Sequence, residues 1–346
     1  MGITIKDVAK ISGVGISTVS RVLNHSGPVS DETREKVLKA VRSTNYIPNN
    51  SARSLKTTNS KNIAVLVKII TNAFFHKLIR VIEHEVNLRG YSVILQDVSS
   101  AADEIDSAIE LAQDRNLCGV IIIGGRFTYT KEKFEQLGIP CVLLTVSAGE
   151  SIDKSLYSSV IVNDEEAGYQ ATKQLIDMGH QKIGFVFHGP SNAAPENPND
   201  LRFFGYIRAL QENGIPVDPS LYDFGNLGGG SGYSIGFNAM QKLYAAHRDV
   251  TAVFAFSDEL AIGVAKGILS LGLKIPDDIS VIGFDGTEIM EYFNPSLDTL
   301  YQPADQMALS AIESLFRMMQ GGESSHLVYD AVLLKRGSCK ARAHGI

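Results

Sequence analysis

The hydrophobic and polar positions of this 346-residue chain follow two rhythms, which change near residue 60. In the first stretch apolar residues recur at helical spacing. Thr4-Ile5-Lys6-Asp7 has the spacing of a capping box, and the helix it opens is expected to turn Val8, Ala9 and Ile11 inward before Ser12-Gly13 permits a left-handed turn. A second short helix buries Val19, Val22 and Leu23 and leaves Ile16, Ser17, Thr18, Ser20 and Arg21 facing outward. A third begins at Ser30 as cap, with Asp31 and Glu32 in its first turn and Val37, Leu38 and Val41 as its buried stripe. Helix, tight turn at a glycine, second helix is the pattern of a helix-turn-helix.

Beyond Asn62 the apolar residues come in short continuous runs, as in parallel strands covered on both faces, separated by amphipathic helices. The pattern predicts strand Ile63–Val67, helix Phe75–Arg89, strand Ser92–Gln96, helix Ala102–Asn116, strand Gly119–Ile123, helix Lys131–Leu137 and strand Cys141–Thr145. It then restarts with strand Ser159–Val162, helix Glu165–Met178, strand Lys182–Phe187, helices Arg202–Asn213 and Gly232–Ala246, strand Ala252–Ala255, helix Asp258–Leu271 and strand Ile279–Gly283. Two βαβ sets of similar length imply an α/β body of two doubly wound parallel sheets. A late helix, Gln302–Gln320, and a last strand near Val328–Lys335 are expected to be shared between the two lobes.

Charge separates the two parts further. Residues 1–62 hold ten lysines and arginines against four acids, a net charge of +6; the whole chain is −6, so the remainder carries −12. A basic head on an acidic body is the footprint of a nucleic-acid-binding module joined to something else. No apolar run is long enough to span a bilayer and no signal-peptide core opens the chain, so a cytoplasmic protein with no membrane partner is expected. Cys118, Cys141 and Cys339 are odd in number and far apart, which offers neither a disulfide framework nor a zinc pattern.

Several linked motifs stand in order: Ile3-Thr-Ile-Lys-Asp-Val-Ala, Ser17-Thr-Val-Ser-Arg-Val-Leu-Asn24, Val29-Ser, Thr33-Arg-Glu-Lys-Val, Asn45-Tyr-Ile-Pro-Asn49 and Ala52-Arg-Ser-Leu-Lys56. Gly179-His-Gln-Lys-Ile-Gly184, Asp258-Glu-Leu-Ala-Ile-Gly263, Pro276 to Asp285 and Lys335-Arg-Gly follow in the body. Together they resemble the lactose/galactose-repressor (LacI/GalR) family. The resemblance implies a helix-turn-helix head over residues 1–47, a hinge helix and linker over 48–61, and a two-lobed periplasmic-binding-protein-like body over 62–346. The first lobe would take about 62–162 and 294–324 and the second about 163–292 and 326–346, with three crossovers near 162–165, 290–296 and 323–328. It implies that Ile16, Ser17 and Arg21 read base edges in the major groove, while Thr18 and Ser20 hold phosphate. Thr4, Asn24, Ser30, Thr33 and Tyr46 would contact the DNA backbone. Asn49, Ala52, Arg53 and Leu55 of the hinge would join them, with Leu55 wedged into the minor groove once two copies meet.

A ligand belongs between the lobes, at the carboxyl ends of the strands. Asn72, Phe74 and Phe75 follow the first strand, Arg202 opens a helix, Ser257 and Asp258 follow the strand at 252–255, and Asp285 follows the strand ending at Gly283. Carboxylates and an arginine forking onto hydroxyls, with an aromatic on the apolar ring face, is how a sugar is held. Arg202 and Asp285 match positions that bind effector in the family. Two candidates depart from its pattern: Thr145 stands where an aspartate is frequent, and Leu227 where an aromatic stacks on the effector. The chain has no tryptophan, so a nucleobase or another small polar ligand is kept beside a sugar.

Competing chemistry has little behind it. Gly228–Gly232 does not make a dinucleotide-binding pattern, His84-Glu85 lacks the second histidine of a zinc protease motif, and no nucleophile elbow or cofactor signature is present. An α/β enzyme rests on the sheet pattern alone. The expectation is a homodimeric repressor of a near-palindromic operator on double-stranded DNA, governed by a small molecule, with no cofactor or metal. No leucine heptads of a tetramerising tail precede Ile346.

Overall fold

A computed structural model describes residues 5–23, 28–44, 60–99, 102–125, 129–149, 151–187, 201–222 and 231–342. The chain forms two compact units, residues 1–59 and 60–346.

The head holds α1 (Ile5–Ser12), α2 (Ile16–Leu23) and α3 (Asp31–Thr44). Val8, Ala9, Val19, Val22, Val37 and Ala40 form its core. Gly13 takes the left-handed turn between α1 and α2 at φ 69°, where a side chain would be strained. Ser30 caps α3, its Oγ accepting from the Thr33 amide at 3.4 Å while its hydroxyl donates to Thr33 Oγ1 at 2.8 Å. Ile11 corrects the sequence reading: it is 56% exposed, because the inward stripe of α1 runs through Val8 and Ala9 and leaves Ile11 on the flank.

In the body, β1 (Asn62–Lys68), α4 (Ala73–Leu88), β2 (Ser92–Val98), α5 (Glu104–Arg115), β3 (Leu117–Ile123), α6 (Lys131–Leu137), β4 (Cys141–Leu144) and β5 (Ser158–Val162) build the first lobe. The second opens with α7 (Asp164–Asp177), β6 (Ile183–Val186), α8 (Leu201–Glu212), α9 (Gly232–Ala246), β7 (Ala252–Ala255), α10 (Asp258–Ser270), β8 (Ser280–Asp285), α11 (Ile289–Tyr292) and β9 (Asp298–Tyr301). Then come α12 (Ala304–Met319), β10 (His326–Tyr329) and β11 (Val332–Leu334). The first sheet has the order β10-β5-β4-β3-β1-β2 and is parallel throughout. The second has the order β11-β9-β8-β7-β6, with β11 antiparallel to β9 at the edge. Strands β1, β3, β4, β7 and β8 are almost wholly buried, as expected of sheets with helices on both faces.

The last third of the chain differs from the sequence reading. The single strand expected near 328–335 is two strands, one in each sheet, and β9 and α11 were not anticipated. The second crossover lies between Tyr301 and Ala304 rather than at 290–296, and the third between Tyr329 and Val332 rather than at 323–328. Residues 298–301 therefore belong to the second sheet and 326–329 to the first, the reverse of the lobe limits expected. Strands of three or four residues carry too little periodicity to be read, and only their pairing assigns them. The first crossover, from β5 to α7, falls inside its expected window.

Close helix crossings shape the second lobe. A Cβ added at Gly168 on α7 would lie 2.8 Å from the Cα of Arg202 on α8, and one at Gly263 on α10 would lie 2.9 Å from the Phe237 amide on α9. Only glycine admits backbones that near.

Candidate functional site

On the head, α2 presents Ile16, Ser17 and Arg21 exposed and Thr18 and Ser20 half-buried, with Val19 and Val22 turned to the core behind them. The five expected DNA-facing residues therefore share the outward side of one helix. Ser30 and Thr33 stand together at the start of α3. Thr4, Asn24, Tyr46, Asn49, Ala52, Arg53 and Leu55 lie outside the described residues, as does Leu227.

In the body, three non-glycine residues take left-handed backbone at the carboxyl ends of strands: Ile69 after β1 (φ 65°), Thr145 after β4 (φ 72°) and Asp285 at the end of β8 (φ 118°). Such conformations cost on the order of 1–3 kcal/mol each and persist where surrounding structure imposes them. All three sit on the edge where α/β sheets bind ligands. Burial raises the Glu259 carboxyl in the first turn of α10, and the charge of His76, in the first turn of α4, opposes that rise.

The second-lobe half of the site is built on Arg202. Its Nε donates to Asp164 Oδ1 at 2.7 Å and its Nη1 to the Phe256 carbonyl at 2.6 Å. Its guanidinium lies 3.4 Å from the centre of the Phe284 ring and 4.5 Å from that of Phe256. Nη2 has no partner among the described residues. Asp285, next in chain to Phe284, is buried and accepts from Gln302 Nε2 at 2.8 Å. Burial pushes its carboxyl well above the ordinary range; the Arg202 charge pulls the other way, and Asp258 and Asp164 add to the rise. Asp285 ends β8 rather than following it, because the strand runs two residues past Gly283.

Asp258 is placed otherwise than expected. It is 2% exposed, and both oxygens are engaged: Oδ1 accepts from Thr299 Oγ1 at 2.5 Å, Oδ2 from the Thr287 amide at 2.6 Å and from its hydroxyl at 2.7 Å. Burial, against these donors, pushes its carboxyl up to about 6. Asp258 thus ties the start of α10 to the segment after β8 and to β9. Ser257 is buried and caps α10, accepting from the Leu260 amide at 3.4 Å.

In the first lobe Asn72 caps α4 through the Phe74 amide at 2.8 Å, and Phe74 is buried in the core. Phe75 is half-buried and approaches Gly124, where an added Cβ would meet its ring at 3.3 Å. The Gly124 amide donates to Thr145 Oγ1 and to the Leu144 carbonyl, both at 3.2 Å. Phe75 and Thr145 therefore converge on Gly124, while Phe74 and Asp258 are spent on the scaffold. Gln302, Asp164, Phe256 and Phe284 escaped the sequence reading, since a glutamine in a turn and phenylalanines in apolar runs carry no signal of their own.

Among the described residues no group of three or more histidine, cysteine, aspartate or glutamate side chains is placed to hold a metal, and no helix is long and apolar enough to cross a membrane. Residues 4–49 match the family of bacterial regulatory proteins of the lacI type, and residues 172–339 match the periplasmic binding protein-like domain. The chain is 39% identical over 338 residues to the HTH-type transcriptional regulator MalR of Clostridium butyricum, covering 97% of this chain and 98% of that one. Among solved structures it resembles a transcriptional regulator CelR–cellobiose complex, with TM-score 0.70, 26% identity and coverage of 97% and 99%. It also resembles the lac repressor dimer bound to operator and the anti-inducer ONPF, with TM-score 0.66, 26% identity and coverage of 99% and 100%. The outward face of α2 and the two-sheet body are thus parts of a DNA-binding transcriptional regulator rather than of an enzyme, and the chain belongs to the LacI family.

Proposed function

We propose that this cytoplasmic regulator binds a near-palindromic operator as a homodimer and that a small carbohydrate between its lobes sets operator affinity. The observation that carries the ligand reading is the presence at the strand ends of both Arg202, stacked on Phe284 and Phe256 with Nη2 unpartnered among the described residues, and the buried Asp285 held by Gln302. An arginine, a carboxyl and aromatic faces form the donor and acceptor set that grips hydroxyls around an apolar ring. CelR, a relative in structure, is seen with cellobiose.

Ile16, Ser17 and Arg21 supply the major-groove contacts and Leu55 the minor-groove wedge. Dimerisation is supported by the likeness to the lac repressor, which is seen as a dimer on its operator. A monomer by light scattering at micromolar concentration would refute it.

The test is a thermal-shift screen against cellobiose, other mono- and disaccharides, sugar phosphates, polyols and nucleobases, followed by operator binding with each hit. A native-state ligand raises the midpoint with concentration by mass action. A neutral sugar that raises the midpoint and changes operator affinity is expected, the direction of the change giving the sign of regulation. A response to nucleobases alone would overturn the carbohydrate assignment.

A further inference from the structure

Behind the first-lobe half of the site lies a buried polar cluster to which none of the functional roles above reaches. Lys68, the last residue of β1, is buried and bonds to the Glu104 carboxylate and to the Ala102 carbonyl, the latter at 2.9 Å. Glu104 is 1% exposed at the start of α5, where the helix dipole favours a carboxylate. Its second oxygen, Oε2, and the Tyr129 hydroxyl are both buried, and neither has a hydrogen-bond partner within ordinary limits among the described residues. They adjoin each other across a glycine. A Cβ added at Gly125 would overlap the Tyr129 hydroxyl and lie 3.5 Å from the Glu104 carboxyl carbon.

Gly124 and Gly125, at φ 70° and 152°, thus form a strap with two faces. One meets the Phe75 ring and Thr145. The other meets Tyr129 and Glu104. Burial and the neighbouring Glu104 charge keep the Tyr129 phenol protonated, so it stands as a donor facing a carboxylate. Its ring is held apart from this contact by an edge-on packing against Phe134, centroids 5.9 Å apart.

We propose that Glu104 and Tyr129 are positioning residues for the effector site: meeting across Gly125 and anchored by Lys68, they fix the path of Gly124 and thereby the spacing of Phe75 and Thr145. The inference rests on the ligand cleft proposed above, but its mechanical part is testable with no ligand. Neither Glu104 Oε2 nor the Tyr129 hydroxyl has another partner among the described residues, so the contact of the phenol with the Glu104 carboxylate is what restrains the backbone between them, and removing the hydroxyl leaves the carboxylate without it. The strained Thr145, whose hydroxyl accepts from Gly124, is the neighbour that restraint supports.

The experiment is amide hydrogen exchange on the full-length protein, wild type against Tyr129→Phe. This variant removes one hydroxyl and keeps the ring packing. Exchange at Gly124 and Thr145 is expected to quicken roughly tenfold, with β7 and α10 unchanged. Uniform acceleration would mean global destabilisation, and a change below about twofold at both amides would mean no restraint; either result overturns the proposal. A second pair gives the steric test. Gly125→Ala drives a methyl into the hydroxyl, and adding Tyr129→Phe should recover part of the lost protection at Gly124; no recovery overturns the proposal as well. Because these arms use no ligand, their failure is distinct from failure of the carbohydrate reading, which rests on the sugar screen alone.

Discussion

Gly168→Ala tests whether the α7–α8 crossing sets the effector arginine. The added methyl would lie 2.8 Å from the Arg202 Cα and 2.9 Å from its carbonyl carbon, with the carbonyl oxygen nearer still. Non-bonded carbons rest at about 3.5–4.0 Å, so the start of α8 must retreat by about 1 Å. The bonds from Arg202 to Asp164 at 2.7 Å and to Phe256 at 2.6 Å then stretch beyond useful length, and the stack on Phe284 opens. Overpacking of this kind costs about 1–3 kcal/mol, or roughly 2–5 °C in melting midpoint for a body of this size. Loss of the arginine's placement should weaken sugar binding at least about tenfold, the worth of one charge-assisted hydrogen bond. Operator affinity without ligand should hold, since the head is a separate unit. The assay is thermal unfolding together with ligand titration. Gly149→Ala serves as the control, because a Cβ there meets nothing within 4 Å. A Gly168→Ala protein with unchanged melting and unchanged ligand affinity would refute the crossing as the device that seats Arg202.

Arg21→Ala should relax preference at one base pair of each half-site by about 1–3 kcal/mol, read by binding to single-base operator variants; uniform weakening on all sequences would make Arg21 a phosphate contact. Leu55→Ala should reduce operator affinity and bending while leaving ligand binding intact, and unchanged operator affinity would remove the wedge. Asp285→Ala should abolish the ligand response and keep ligand-free operator binding; a normal response would move the site elsewhere. Asp258 predicts a pH effect. Its carboxyl stands near 6 when folded against an ordinary value of 3.8, so between these the native state binds the extra proton and this group's contribution to stability falls as pH rises. The stability advantage of wild type over Asp258→Asn should therefore shrink from about pH 4 to about pH 6, measured by urea unfolding; a constant difference would contradict the raised value.

The order of helices and strands through residue 285 was legible because long apolar runs and amphipathic stripes of a dozen residues repeat their signal many times. Helices at 131–137 and 232–246 and the strand at 252–255 fall where the sequence placed them. The tail was not, since β9, β10 and β11 are three or four residues each and gain identity only from a partner distant in sequence. Within the candidate site, Arg202 and Asp285 are marked by the family resemblance together with their position and charge. Phe74 and Phe75 are neighbours in sequence with opposite fates, a difference decided by the helix turn on which each falls. Asp258 looked like a ligand because a carboxylate after a strand normally is free; here two threonines from other segments claim it.

The division of the tail between both sheets bears on how the protein is made. β10 completes the edge of the first sheet by pairing with β5, and β11 follows it across Asp330-Ala331 to pair with β9 in the second. Neither lobe has its full complement of strands until the last few dozen residues exist. A ribosome that has released the first lobe's other strands has therefore released an unfinished sheet, with β5 still offering an open edge to neighbouring chains. The lobes are expected to mature together at the end of synthesis, and cutting the chain between them should yield two aggregating pieces rather than two domains.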